Sequence, residues 1–263
     1  MLNDEWRRIA IVGRGLIGGS IELAVGSKSS PTQLIALDRE DDLAGVAGAD
    51  LVILSAPILE NIRLLPVVHA LVSPDTLITD TGSTKRAIVD RAAGMRFIGG
   101  HPVAGAAAGG RAARADLFTG RPWILTPTAD TSVEDLARLK RFVEGLGASV
   151  DLLDAAEHDR IFALVSHLPQ LVVSALMDVV GSLAGERGLA LAGAGLRDST
   201  RLAASPADIW LDIVQTNDAN VERALDAVIA TLTALKEDAG GEKLRATFES
   251  AARWKRALDS RPI

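Results

Sequence analysis

The sequence of 263 residues has no cysteine, no tyrosine, only four histidines and 3% aromatic residues. Without cysteine there is no disulfide framework, thiolate nucleophile or cysteine-ligated metal, and no histidines fall at ligand spacing, so no metal is expected. A block of one charge is also missing. Lys and Arg total 28 against 34 Asp and Glu, a net charge of −6 with the signs interspersed, which offers no footprint for nucleic acid or an anionic membrane. The N-terminus lacks a basic region followed by a long apolar stretch, and its apolar run stops at Gly13, so a cytoplasmic protein is expected. The longest apolar segment, 161–177, is interrupted by Ser166, His167, Pro169 and Gln170 and falls short of the roughly 20 residues that span a bilayer. What is present is ordinary: 48% hydrophobic and 24% charged residues, in a length that suits one to two domains of roughly 150 residues each.

The first half alternates short apolar, β-branched runs (9–12, 34–37, 51–54, 77–79, 96–98, 123–125 and 150–153) with amphipathic stretches at 17–25, 58–71, 84–93 and 133–146. That alternation predicts βαβ units and a parallel sheet. Only about a dozen residues, including Gly45 and Gly48, link 37 to 51, so the second crossover helix is short or missing. After Asp154 long helical periodicities take over, from 155 to 180 and from 206 to 235, placing a domain boundary between 153 and 154. Ser205 and Pro206 read as N-cap and first residue of a helix. No internal repeat is visible, and the alanines at 106–108 look compositional.

Gly13-Arg14-Gly15-Leu16-Ile17-Gly18 is a G-x-G-x-x-G run directly after a strand and before a helix. Such a turn lets a pyrophosphate approach Gly15 closely and presents helix N-terminal amides to it. Asp38, twenty positions after Gly18 at the end of the second strand, can accept hydrogen bonds from an adenosine ribose. It would repel a 2′-phosphate, which favours NAD, with NADP the alternative because Arg14 and Arg39 can offset the charge. Ser55-Ala56-Pro57 and the stretch from Thr79 to Lys85 follow strands at the carboxyl edge where ligands bind in open α/β sheets. Ser83 and Thr84 there serve equally well as caps of the next helix. His101, in the glycine-lined stretch 99–105 after the fifth strand, is placed to act as a base near neutral pH or to make a backbone hydrogen bond in a loop.

Six segments in register, GRGLIGGS (13–20), DTGSTK (80–85), GGHPVAG (99–105), HDRIFALVSHLP (158–169), LRDSTR (196–201) and Pro206…Trp210…Asn217, resemble the prephenate/arogenate (cyclohexadienyl) dehydrogenases of tyrosine biosynthesis. The resemblance implies an N-terminal Rossmann-type domain (1–153) followed by an all-α substrate and dimerisation domain (154–263), and an expected homodimer. It implies that His101 is the catalytic histidine that accepts a hydrogen bond or proton from the ring C4 hydroxyl as hydride leaves for the nicotinamide. It gives Ser83 the role of orienting that histidine and hydroxyl, and Arg201 that of pairing with a substrate carboxylate, a role suited to its donor fork. Asp198, Ser199 and Trp210 fall on the second-domain wall of the pocket, and Trp210 and Asn217 are expected on one helix face. His167 is a pocket residue or a helix-packing one, His158 and Asp159 are expected to cap their own helix, and His69 matches no motif and is expected at the surface or in packing.

The chain departs from the family in places. Many prephenate-using members have a histidine where this chain has Gln170, which leaves prephenate or arogenate open as substrate. Arg14 replaces a common leucine. The chain ends at Ile263 with no room for a fused chorismate mutase or a C-terminal regulatory domain, so tyrosine inhibition, if present, is expected at the active site itself. The leading expectation is an NAD(P)-dependent prephenate dehydrogenase. The alternatives are an arogenate dehydrogenase, a relative acting on an amino-substituted prephenate, a reductase of similar two-domain build, and a non-catalytic dinucleotide sensor.

Overall fold

The computed structural model describes residues 6–27, 32–105 and 112–260; the extreme N-terminal residues and the alanines at 106–108 lie outside them. A seven-stranded sheet runs in the order β2-β1-β3-β4-β5-β6-β7. Its strands are β1 (Arg8–Val12), β2 (Gln33–Leu37), β3 (Leu51–Leu54), β4 (Leu77–Asp80), β5 (Phe97–Pro102), β6 (Pro122–Thr126) and β7 (Ser149–Leu152). Helices α1 (Leu16–Gly26), α2 (Ile58–Leu71), α3 (Arg86–Arg91) and α4 (Val133–Gly145) make the crossovers, and a 3₁₀ turn at Leu43–Val46 replaces the second one. The strands between the two edges are buried runs because both faces are covered: Ile9, Ile11, Leu51, Ile53 and Leu125 pack into one core, and Ala10, Val52, Leu54, Leu65 and Ile78 into the other.

The sheet departs from the expected parallel one at a single pair, β5 against β6, which is antiparallel and sets His101 opposite Ile124. That pairing carries β5 through Gly99 and Gly100 to Pro102, so His101 sits on the strand rather than in a loop beyond it. Stretches of glycine and proline carry no strand signal of their own; their order here comes from the partner strand.

Beyond β7 the chain is helical: α5 (Ala155–Phe162), a π-helical turn (Ala163–His167), α6 (Leu168–Ala190), α7 (Ala194–Ser199), a 3₁₀ turn (Arg201–Ala204), α8 (Ala207–Thr216), α9 (Asp218–Glu237) and α10 (Glu242–Asp259). Asp154 caps α5 by accepting from the Glu157 N–H at 2.8 Å. The helix starting near Ser205 begins one residue late: Pro206 is the cap, with no side-chain hydrogen bond, and Ser205 closes the preceding 3₁₀ turn. The expected 206–235 helix breaks at Asn217, whose φ of −138° lies outside the helical region. Pro169 does not interrupt the earlier segment, because the wide π turn just before it accommodates a residue with no N–H to donate. Pro169 thus leaves the run 155–190 long enough and, by composition, apolar enough to cross a membrane, contrary to the reading of 161–177 alone. The run breaks its helical geometry at Gly185, whose φ is 61°.

Candidate active site

The phosphate-binding turn is built by glycines with different duties. Gly13 has φ +103°, and a Cβ there would lie 2.6 Å from the Ser55 backbone; one on Gly18 would lie 1.9 Å from the Gly13 carbonyl oxygen. Both are therefore required by packing. Gly15, the N-cap of α1, has nothing within 4 Å of an added Cβ, so the space above it is free for a ligand. The N–H groups of Leu16, Ile17 and Gly18 open the helix with no acidic side chain in the first turn, an arrangement that suits a pyrophosphate. The side chains of Leu16 and Ile17 pack on the core, which leaves their backbone N–H groups as what they present at the turn.

Asp38 ends β2 beside this turn, since the Gly13 N–H donates to the Leu37 carbonyl at 2.8 Å. A tight loop holds it: its N–H donates to Asp41 Oδ2 at 2.7 Å and its Oδ1 accepts the Arg39 N–H at 2.9 Å. Arg14 is turned to Glu22, donating from Nε and Nη2 to the two carboxylate oxygens, each at 3.1 Å. A 2′-phosphate would thus meet Asp38 with one of the two offsetting arginines already paired; Arg39 stays exposed. Ser55, Ala56 and Pro57 line the end of β3. There the buried Asn61, which sequence reasoning missed, accepts the Ala56 N–H at 3.0 Å and donates to the Leu54 carbonyl.

His101 is 8% exposed and is held from both sides. Behind it, the Gly100 peptide is pinned at both ends: its N–H donates to Asp80 Oδ1 at 3.1 Å and its carbonyl accepts from Lys85 Nζ at 2.7 Å. Lys85 is fully buried and pairs with Asp80 Oδ2 at 2.5 Å. Burial pulls the Lys85 ammonium below its usual value, with Asp80 opposing. Gly100 tolerates no side chain, because a Cβ would lie 2.5 Å from the Asp80 carbonyl oxygen. In front, His101 Nδ1 stands 2.8 Å from His158 Nε2, and His158 Nδ1 stands 2.8 Å from Asp159 Oδ1. Phe162 stacks on the His158 ring at 4.4 Å and tilts against His101 at 4.6 Å. His101 Nε2 takes no partner among the described residues. Burial lowers the His101 pKa well below 6.5, and the neighbouring His158, Lys85 and His167 lower it further.

His158 and Asp159 thus do not cap their own helix, which Asp154 does. Asp159 instead caps α3 from the other half of the molecule, accepting the Lys85 N–H at 2.7 Å and the Arg86 N–H at 2.9 Å. This also settles the cap of α3: neither Ser83 nor Thr84 supplies it. Thr84 pairs with Thr216 at 2.8 Å, the half-buried Ser83 hydroxyl takes no partner among the described residues, and the group that meets His101 Nδ1 is His158. The adjacent His-Asp pair, and the Asp and Lys five apart in DTGSTK, were the available signals, legible only once the two halves are docked.

His167 is 1% exposed, its Nδ1 lies 3.3 Å from Asn217 Nδ2, and its ring meets Trp210 edge-on at 6.3 Å. Burial brings its pKa down to about 4. Its Nε2 has no partner among the described residues. Asn217 does not share a helix face with Trp210 but sits at the α8–α9 junction, donating to the Asp159 carbonyl at 2.8 Å. Gln170 is buried and donates to Ser174 Oγ at 3.1 Å and to the Leu202 carbonyl at 2.9 Å, so it anchors the 3₁₀ turn that begins with Arg201. Arg201 and Asp198 are exposed, and neither has a hydrogen-bond or ion-pair partner among the described residues. His69 is exposed on α2.

Known proteins are similar to this chain over both of its halves. Residues 14–152 match the family described as prephenate dehydrogenase, nucleotide-binding domain, and residues 154–249 match prephenate dehydrogenase, dimerization domain. The chain is 30% identical to a prephenate dehydrogenase of Bacillus subtilis over 99% of its own length and 78% of the relative's. It is 31% identical to a cyclohexadienyl dehydrogenase of Zymomonas mobilis over 88% of each. Among solved structures, prephenate dehydrogenase from A. aeolicus in complex with hydroxyphenyl propionate and NAD+ superposes with a TM-score of 0.81 at 28% identity, covering 96% of both chains. Synechocystis arogenate dehydrogenase superposes with a TM-score of 0.77 at 28% identity, covering 95% of this chain and 99% of the other. With both halves matched in order and the histidine, glycine turn and helical wall in place, this chain belongs to the prephenate dehydrogenase family.

Proposed function

We infer that the chain is an NAD-dependent prephenate dehydrogenase of tyrosine biosynthesis, converting prephenate to 4-hydroxyphenylpyruvate and carbon dioxide. The observation that carries this is His101: a buried imidazole at the edge between the two halves, with one nitrogen tied and Nε2 free. The glycine turn 13–18, Asp38 and the 55–57 edge fit NAD, and the space over Gly15 supports a pyrophosphate there. NAD supplies, when bound, the acceptor for the hydride from C4. His101 Nε2 takes the hydroxyl proton as C4 becomes a carbonyl; the ring carboxylate leaves as carbon dioxide, its bonding electrons enter the ring, and the proton returns to the resulting phenolate. Prephenate and NAD+ thus give 4-hydroxyphenylpyruvate, carbon dioxide and NADH, with no net proton.

Arg201, with its free guanidinium, is assigned to a substrate carboxylate. Ser83 is assigned to the C4 hydroxyl, and Trp210 and Asp198 to the helical wall. Gln170 and His167 act behind that wall, shaping it rather than binding charge. Because Gln170 is a neutral amide spent on Leu202 and Ser174, arogenate is the second reading. The division at 153/154 separates a nucleotide-binding half from a half that forms a homodimer. The dimer is supported by exposed apolar side chains on the outer helices, among them Leu183 at 84%, Phe248 at 69% and Trp254 at 74%. As a soluble biosynthetic enzyme it is placed in the cytoplasm. Purified protein assayed with prephenate or arogenate against NAD or NADP tests the reading: turnover of prephenate with NAD is expected, turnover of arogenate alone would transfer the assignment, and silence with both would refute it.

A further inference from the structure

We propose that Asp159 and His158 are positioning residues that act through His101: they fix a hydrogen on its Nδ1, leave Nε2 bare, and share the positive charge when Nε2 takes a proton. The proposal rests on His101 being the base.

The hydrogens can be assigned from one end of the line. Both oxygens of Asp159 accept backbone N–H groups, from Lys85 and Arg86, so this carboxylate is an acceptor and His158 Nδ1, 2.8 Å from Oδ1, carries the hydrogen. A neutral imidazole has one N–H, so His158 Nε2 is a lone pair, and His101 Nδ1, 2.8 Å from it, must donate. His101 Nε2 is then an acceptor. The opposite tautomer of His101 would set two lone pairs face to face among buried rings. When Nε2 gains a proton, the Nδ1 hydrogen can pass to His158 Nε2 while His158 Nδ1–H stays against Asp159, so one added proton is carried by the pair.

The surroundings make this line necessary. The charged or titratable groups around His101 are His158 and Asp159 on α5, His167 on the π turn, Lys85 ahead of α3 and Asp80 on β4. Asp80 is committed to Lys85, which leaves Asp159 as the carboxylate that can offset an imidazolium there. Asp159 holds the His158 pKa up against burial, and through the shared hydrogen bond that support reaches His101. Because Asp159 belongs to the helical half and caps α3 of the nucleotide half, the base is armed only when the two halves are docked.

Histidine ¹⁵N spectra of the protein, which has only four histidines, test the tautomers without any substrate. His101 and His158 are expected as the Nδ1–H form, in contrast to the Nε2–H form that histidine favours in water; His101 as Nε2–H would overturn the proposal. In turnover, Asp159→Asn is expected to lower kcat by about 10²- to 10⁴-fold, with KM for prephenate within a few-fold and the acid limb of the kcat profile moved to lower pH. His158→Gln, which keeps an acceptor for His101 Nδ1–H but cuts the link to Asp159, is expected to move the limb likewise with a smaller loss. Folded variants with unchanged kcat and limb, or with only KM or Tm changed, would overturn it by reducing Asp159 to a helix cap. If Asp159→Asn does not fold, the His158→Gln profile and the spectra decide. A wild type inactive on prephenate and arogenate would fail the functional reading, and the spectra would then decide the tautomers alone.

Discussion

Two residues carry the least expected energetics. Lys85 is a fully buried cation whose only carboxylate partner within 4 Å among the described residues is Asp80, and the pair grips the peptide that presents His101. Replacing Lys85 with Met leaves a buried carboxylate unpaired, and about 3–5 kcal/mol of stability should go, read as a lower denaturation midpoint. Adding Asp80→Asn should restore part of that loss; if the double variant is no better than the single one, the pair is not coupled as described. Arg201 is the opposite case, an exposed guanidinium with no partner among the described residues. Arg201→Gln should lower kcat/KM for prephenate by about 10- to 100-fold, mostly through KM, corresponding to a charge-assisted hydrogen bond of roughly 1.5–3 kcal/mol. Arg201→Lys should recover only part, because an ammonium lacks the fork. Equal kcat/KM in all three proteins would remove Arg201 from the substrate site.

At the scale of elements, the glycine turn makes a separable prediction. Gly15→Ala should fold with an unchanged Tm yet bind NAD much more weakly in calorimetry, since its Cβ enters only ligand space; Gly18→Ala should lower Tm, since its Cβ meets the Gly13 carbonyl oxygen. Weak NAD binding without a Tm change in both, or in neither, would contradict the division of duties. The strands and crossovers were legible because buried β-branched runs and amphipathic periods are local properties. The glycine turn and Asp38 were legible for the same reason: spacing along one βαβ unit is spacing in space. What stayed hidden was set by contacts between distant segments. β5 extends through His101 because β6 pairs with it, Asp159 caps a helix 73 residues away, and Asn217 breaks a helix to reach the Asp159 carbonyl.

For the whole molecule, the two halves meet at buried histidines that are neutral in the resting fold. His101, His158 and His167 all have pKa values lowered by burial, His167 to about 4. An unfolded histidine takes its proton near 6.5 while the folded ones do not, so stability is complete above that pH and falls as the pH drops from about 6.5 towards 4. Each such group contributes a slope of up to about 1.4 kcal/mol per pH unit. Unfolding midpoints measured from pH 7.5 to 4.5 should therefore fall steeply, and a flat profile above pH 5 would contradict the burial of these rings. The helical half leaves apolar side chains on its outer helices that a second copy can cover. Leu183→Glu with Trp254→Glu should convert a dimer to a monomer in analytical ultracentrifugation, and an unaltered dimer would place the interface elsewhere.

The central claim is that a single bare nitrogen on His101 takes the hydroxyl proton while the rest of the site only positions. Its most direct test is the kcat of His101→Asn beside that of the wild type, with saturating prephenate and NAD at neutral pH. A loss of about 10²-fold or more with KM little changed is the predicted result. Turnover at the wild-type rate in a folded His101→Asn protein would contradict it.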